Sequence, residues 1–249
     1  MIEPEQKIDL LNPNYSYLFG FISGDGHLYE TTRNRGKLSI QIGIRDKIVL
    51  ENFQKIIPYY SRISERIQDT NFSKSYHSVY LTIHSIHFRN WLKSCGLPVG
   101  KKSDIIAPPI LPYSEPDYVR GLIDSDGSLG FVKKGYPFVS IVISSEKLKN
   151  YYLGFLKKYL NLDKTSTRNK RDNVYNICIY KEDAQKLVKL LYYKECLSLE
   201  RKSICAKNIQ GWVRPIEMRK NRGMKDWTLE QDSFILSHFI EESMKELDR

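Results

Sequence analysis

Hydrophobic and polar positions assign most of the chain to short elements. Residues 37–45 alternate, with Leu38, Ile40, Ile42 and Ile44 on one face and Lys37, Ser39, Gln41 and Arg45 on the other. That period of two is a half-buried strand. A helix is expected from about Asp46, carrying Val49, Leu50, Phe53 and Ile56 and ending before Pro58. Strands follow at 62–68 and 76–84. In the second, Val79, Leu81 and Ile83 point inward and Ser78, Tyr80, Thr82 and His84 outward; a helix over 86–95 then stops at Gly96. The order returns downstream: a strand at 139–143, a helix at 146–159, strands near 164–170 and 174–180, and a helix at 182–192. Each series is preceded by a stretch that is apolar on nearly every side.

The first such stretch is Leu18-Phe19-Gly20-Phe21-Ile22-Ser23-Gly24-Asp25-Gly26, in a helix that Asn12 and Pro13 would cap and start. The second is Val119-Arg120-Gly121-Leu122-Ile123-Asp124-Ser125-Asp126-Gly127. Gly20 and Gly24, and Gly121 and Ser125, are four residues apart, so each pair shares a helix face and lets another backbone approach closely. Packed side by side, the two helices end together and bring Asp25 next to Asp126. Two carboxylates at two helix C-termini repel unless protonated or bridged by cations. The pattern asks for a divalent metal.

The halves are a duplication. Asp126 lies 101 residues after Asp25, and Lys147 and Lys202 each lie 100 after Lys47 and Lys102. Each half reads as helix, two strands, helix, two strands, helix. This predicts an α+β protein of two pseudo-symmetric αββαββα repeats: 1–103, a proline-rich linker at 104–117, 118–210, and a basic tail at 211–249.

The paired stretches resemble the LAGLIDADG motif of the homing endonucleases, in the single-chain, two-motif form. Phe19, Phe21 and Ser23 depart from the motif in the first copy, and Val119, Arg120 and Ser125 in the second; both keep the central Gly, the last Asp and the final Gly. The resemblance spans about Asn14 to Ile209. It implies saddle-shaped antiparallel sheets and a monomeric, Mg²⁺-dependent, site-specific double-strand DNA endonuclease of the intron-homing kind. Such an enzyme hydrolyses phosphodiesters at a long asymmetric site and leaves short 3′ overhangs. Mn²⁺ or Ca²⁺ would substitute for Mg²⁺ in binding. By the same resemblance Asp25 and Asp126 hold the metals beside the backbone carbonyls of Gly24 and Ser125, and Lys102 and Lys202, each followed by Ser, stand near them.

Charge agrees with a polyanionic partner: the 249 residues carry a formal net charge of +10, with pI ≈ 9.3. Lys37, Gln41, Arg45, Arg62, Arg66, Gln68, Lys133, Lys134, Arg168, Lys170 and Arg171 are expected on the outward sheet faces, where such side chains suit phosphates and base edges of double-stranded DNA. No apolar run approaches the ~18 residues of a membrane span, and the N-terminus lacks a signal-peptide pattern. The expected location is the cytoplasm or nucleoid, or an organelle matrix if the gene is organellar. Four scattered cysteines read as reduced thiols, and no Cys/His cluster asks for zinc. The tail is rich in Arg and Lys from Arg214 to Lys225, and its capped apolar series from Thr228 looks like the first helix of a Myb-like module. Two other readings of the scaffold are a DNA-binding regulator without cleavage and an RNA maturase.

Overall fold

A computed structural model describes residues 8–69 and 74–216, together with Met218, Ser233 and Phe234. The chain forms two compact units, 1–212 and 213–249, and the fold below is that of the first. Nearly all of the helix expected from Thr228, and the basic positions Arg219, Lys220, Arg222 and Lys225, lie outside the described residues.

Helix α1 (Pro13–Asp25) begins as its sequence directs. Pro13 occupies the first turn, and the Asn12 side chain accepts from the Asn14 N–H at 2.9 Å. Every residue from Ser16 to Ser23 is buried, because α1 is enclosed between the first sheet and its counterpart α4 (Glu115–Asp126). The two helices meet backbone to backbone. A methyl group at Gly20 would stand 2.1 Å from the Tyr118 carbonyl oxygen, and one at Gly121 would stand 2.3 Å from that of Tyr17. The glycines that follow the helices act differently from an ordinary C-cap. Gly26 and Gly127 have extended backbones, and what excludes a side chain there is the carbonyl of Ile22 or Ile123, under 3 Å away.

Each motif helix feeds straight into a sheet. The first sheet holds β1 (Gly26–Glu30), β2 (Gly36–Gly43), β3 (Ser61–Gln68) and β4 (Tyr76–Ile83), antiparallel in the order β1-β2-β4-β3. The second holds β5 (Gly127–Phe131), β6 (Pro137–Ile143) and β7 (Tyr175–Tyr180), in that order. Both are open sheets. Helices α2 (Lys47–Ile56), α3 (Ile86–Ser94), α5 (Glu146–Leu160) and α6 (Lys181–Leu191) complete the layers against them, and α7 (Glu200–Gln210) packs on α6 and β5. Leu38, Ile40, Ile42, Val79, Leu81 and Ile83 are buried on the inner face of the first sheet, and Val139, Ile141, Ile143, Ile177 and Ile179 on that of the second.

The fold class is the expected α+β arrangement, with departures that have physical reasons. The second half lacks a strand at 164–170; only an isolated bridge joins Arg168 to Tyr175. That segment has no alternating apolar residues to bury. Its polar side chains make local turns instead: Asn169 Oδ1 accepts from the Arg171 N–H at 2.8 Å, and Asn173 is left-handed. The repeat order calls for two strands after each motif helix, and β1 and β5 fill the place to which the hydrophobic pattern assigns no range; helix α7 is not expected from the sequence. Each of the two strands puts one large apolar residue inward, Leu28 or Leu129, too few to display a period, and α7 buries two apolar residues, Ala206 and Ile209, beside the charged Lys202. Ser78, expected outward, is fully buried and donates to the Arg66 carbonyl at 3.2 Å. Among the described residues no helix is long and apolar enough to cross a membrane.

Candidate active site

The α1–α4 contact sets the geometry of the site. Because Gly24 has no side chain, Ser125 and Asp126 can lie directly over it: a Cβ there would be 2.1 Å from Ser125 Oγ and 2.7 Å from Asp126 Oδ2. Asp25 and Asp126 are therefore neighbours across the helix pair. Burial, and then the negative charge of Asp126, push the Asp25 carboxyl up to about 6. Burial also raises Asp126, against the pull of Lys102 and Lys202. The lysines act crosswise: Asp126 feels Lys102 more strongly, and Asp25 feels Lys202 more strongly.

Lys102 and Lys202 sit at the helix ends in unlike ways. Lys102 Nζ donates once, to the Gly24 carbonyl at 2.7 Å. Lys202 Nζ donates three times, to the carbonyls of Ile123 (2.5 Å), Asp124 (2.8 Å) and Gly127 (2.8 Å), and the residue is 5% exposed. Burial drives its ammonium down to about 8, opposed by Asp124.

Two cavities open at this rim. The larger, about 490 Å³, is lined by Asp25, Gln41, Arg45, Asp46 and Arg201 among others; the smaller, about 230 Å³, by Gly24, Lys102, Ser103, Asp126 and Ser144 among others. Arg201 Nε meets both carboxylate oxygens of Asp46, at 3.0 and 3.1 Å, and so ties α7 of the second half to the start of α2 in the first.

The donor chemistry fits a hard divalent cation. Two carboxylates with raised pKa and no ion-pair partner within 4 Å among the described residues are a negative charge that the nearby Lys102 and Lys202 offset only at a distance. The neighbouring oxygens are backbone carbonyls, and that of Gly24 has one lone pair engaged by Lys102. No group of three or more His, Cys, Asp or Glu is assembled among the described residues. A cation here would thus have two carboxylates, with carbonyls, waters or substrate phosphates completing its shell, a pattern that suits Mg²⁺.

A buried polar network behind the site is invisible in the motif alone. Asp124, fully buried, accepts from Tyr17 OH (2.7 Å), Tyr192 OH (2.6 Å) and the Leu199 N–H (2.8 Å). Arg120, also fully buried, donates to the carbonyls of Leu191 (2.8 Å) and Leu197 (2.9 Å) and meets Asp117 at 2.6 Å. Together they fix the loop that launches α7, the helix bearing Arg201 and Lys202. The first half has Phe19 and Ser23 at these positions. Phe19 packs on Trp91 and Tyr118, and Ser23 turns back to the Phe19 carbonyl. Asp46, Arg201, Asp124 and Arg120 escape sequence reasoning, since their partners lie tens of residues away or, for Asp117, look like part of a linker.

The outward residues divide sharply. By register, Lys37, Gln41, Arg62, Arg66 and Gln68 share the outer face of the first sheet with Ser39, Tyr80 and Thr82, and His27 joins them opposite Ser39. Arg45 lies just past β2, 3.7 Å from Asp46. The positions expected on the second face are not on its strands. Lys133 and Lys134 occupy the β5–β6 turn, while Arg168, Lys170 and Arg171 lie in the loop before β7. Arg168 is occupied by the carbonyls of Asn173 and Ser144 and by the Tyr175 ring, and Arg171 by Asp172. The outer face of β5-β6-β7 carries Ser128, Phe138, Ser140, Val142, Asn176, Cys178 and Tyr180, none of them charged.

No protein-family model and no curated protein matches the sequence. Solved structures do match the fold. The LAGLIDADG homing endonuclease I-GzeII in complex with its DNA target is 15% identical, with a TM-score of 0.53, over 80% of this chain and 89% of that one. I-WcaI bound to its DNA recognition sequence is 17% identical, with a TM-score of 0.52, over 77% and 87%. A mesophilic variant of the homing endonuclease I-DmoI is 13% identical, with a TM-score of 0.53, over 80% of this chain and all of that one. The chain has the fold of the LAGLIDADG homing endonucleases.

Proposed function

We propose that this protein is a site-specific double-strand DNA endonuclease of the homing type, using Mg²⁺ and leaving short 3′ overhangs. The observation that carries the reading is the pairing of Asp25 with Asp126 at the ends of two helices that touch through glycine. Two carboxylates there without a direct ion-pair partner among the described residues, one in each half, supply two hydrolytic sites within a single chain and account for a monomer. A bound divalent cation would lower the pKa of a water and neutralise the leaving oxygen. The chain's own part is to hold that charge, bring cationic donors to it and align the duplex. Asp25 leads into β1 and Asp126 into β5, so each carboxylate heads one outward sheet face. A sheet laid in the major groove is a known reader of DNA, and Lys37, Gln41, Arg62, Arg66 and Gln68 are the side chains for it in the first half. The reading is also supported by the net charge and by the DNA-bound proteins that share the fold.

The test is cleavage of a randomised duplex library with and without Mg²⁺. The expected result is metal-dependent cutting of both strands within one long sequence, lost in Asp25→Asn and Asp126→Asn while DNA affinity is retained. Binding of one sequence without cutting in any divalent metal would favour a regulator, and full cutting by Asp126→Asn would remove the site.

A further inference from the structure

We propose that the two hydrolytic sites use cations from different positions of the repeat: Lys102 on the Asp126 side and Arg201, held by Asp46, on the Asp25 side. Lys202 is then a structural cap. The inference rests on the endonuclease reading and refines it.

An ammonium has three N–H groups. All three of Lys202 are engaged by the carbonyls of Ile123, Asp124 and Gly127, where they satisfy the open end of α4. Nothing remains on it for a water or a phosphate oxygen, and it does not line the cavity beside Asp25. Lys102 engages one carbonyl among the described residues, keeps two donors and lines the cavity beside Asp126. The duplicated Lys-Ser spacing therefore conceals unequal lysines.

The Asp25 cavity has a different cation. Arg201 lines it, and its side chain is 43% exposed. Asp46, at 10% exposure, meets it through Nε and leaves both η nitrogens without a hydrogen-bond partner among the described residues. A guanidinium gripped at Nε presents a fixed fork, the geometry that matches two phosphate oxygens. The equivalent in the first half is Lys101, which is 85% exposed, stands 3.7 Å from Asp104 and lines neither cavity. Of the basic residues that follow the two motifs at this spacing, Lys102 and Arg201 are thus the ones that line a cavity with free donors, one repeat position apart; Arg45, 74% exposed and 3.7 Å from Asp46, also lines the Asp25 cavity but comes from just past the end of β2. The cause is the buried network: Arg120 and Asp124 pin the loop before α7, which draws Lys202 inward and sets Arg201 at the rim.

The experiment is strand-resolved, single-turnover cleavage of a duplex labelled differently on each strand, with affinity and thermal melts measured in parallel. Arg201→Gln should slow one strand by about 10²-fold, the scale of losing one preorganised donor to a developing oxyanion. The other strand, the affinity and the melting temperature should change little, and nicked duplex should accumulate. Asp46→Asn, which loosens the fork without removing it, should slow the same strand by a smaller factor. Lys102→Met should slow the opposite strand. Lys202→Met should lower the melting temperature well below that of Lys102→Met, and outright failure to fold has the same meaning. Arg201→Gln cutting both strands at the wild-type rate would overturn the proposal. So would equal slowing of both strands with a matching loss of affinity, or a Lys202→Met protein that melts normally and is slow on one strand. A wild-type protein that cuts no duplex would instead overturn the endonuclease reading, with the melts still reporting on Lys202.

Discussion

Asp25 has a measurable consequence without any substrate. Its folded-state pKa, near 6, lies above the ordinary carboxylate value of 3.8. The folded protein therefore binds that proton more tightly than the unfolded chain does. The corresponding stability is fully present below about pH 4 and is lost as the pH rises through 6. At 1.36 kcal/mol per pKa unit, reduced because the group is partly solvated, this is on the order of 1–3 kcal/mol. Glu30 has the opposite sign: hydrogen bonding to Lys93 lowers its pKa, so its contribution is lost in acid, below the window in question. Lys202, near 8, titrates above it. Between pH 5 and 7, in chelator, the melting temperature of the wild-type protein should fall, that of Asp25→Asn should stay flatter and end higher, and Mg²⁺ should recover the wild-type loss at pH 7. An equal slope in wild type and Asp25→Asn would show that the carboxyl is not held in its acid form. At this scale the sequence is legible for Asp25 and Asp126, because a repeat marks them twice. It is mute on Asp124 and Arg120, whose partners are set by tertiary contact, and on how Lys102 and Lys202 differ, since spacing cannot count the donors a lysine has left.

Elements are legible where one face alone decides burial. Strand β2 and helices α2, α3, α5 and α6 fall within about two residues of their hydrophobic periods. The 164–170 segment fails because a strand expected there from symmetry with the other half has no apolar residues behind it. The close approach of α1 and α4 is legible from four small residues at helical spacing, and it yields a sharp expectation. Gly121→Ala would push a methyl group to 2.3 Å from the Tyr17 carbonyl and 2.7 Å from the Phe21 nitrogen, and no side chain can yield there because both are helix backbone. Overpacking of this kind costs about 1–3 kcal/mol or more, which lowers the melting point. Separating the helices also parts Asp25 from Asp126, so cleavage in Mg²⁺ should fall further than the remaining folded fraction explains. Gly154→Ala is the control, because a Cβ there meets nothing within 4 Å and helix propensity favours it. A Gly121→Ala protein as stable as wild type would mean that the helices stand farther apart.

On the scale of the molecule, the two halves present unlike surfaces. The outer face of the first sheet presents Lys37, Arg62 and Arg66, while that of the second has no charge on its strands and exposes Val142 and Tyr180 beside Asn176. If both faces lie in the major groove, they read DNA by different chemistry. Cationic side chains release counterions from phosphate and pair with guanine. Asn pairs with adenine, and small apolar side chains pack on thymine methyls. The salt dependence of binding should therefore come mainly from the first half. Replacing Arg62 and Arg66 by Ala together should make the slope of log affinity against log salt shallower by up to about 2, close to one for each phosphate no longer neutralised. Asn176→Ala should leave that slope unchanged and relax the preference for one base pair in the second half-site. A randomised target, selected for binding and sequenced, should be richer in A·T on the side of β5-β6-β7 than on the side of β1-β2-β4-β3. Sequence pattern pools the basic residues into a single expected surface because it cannot reveal that Lys133, Lys134, Arg168, Lys170 and Arg171 belong to turns and loops. A slope reduced equally by Asn176→Ala and by the arginine pair, or guanine-rich selection in both half-sites, would show that those turns carry the second half's charge into the groove.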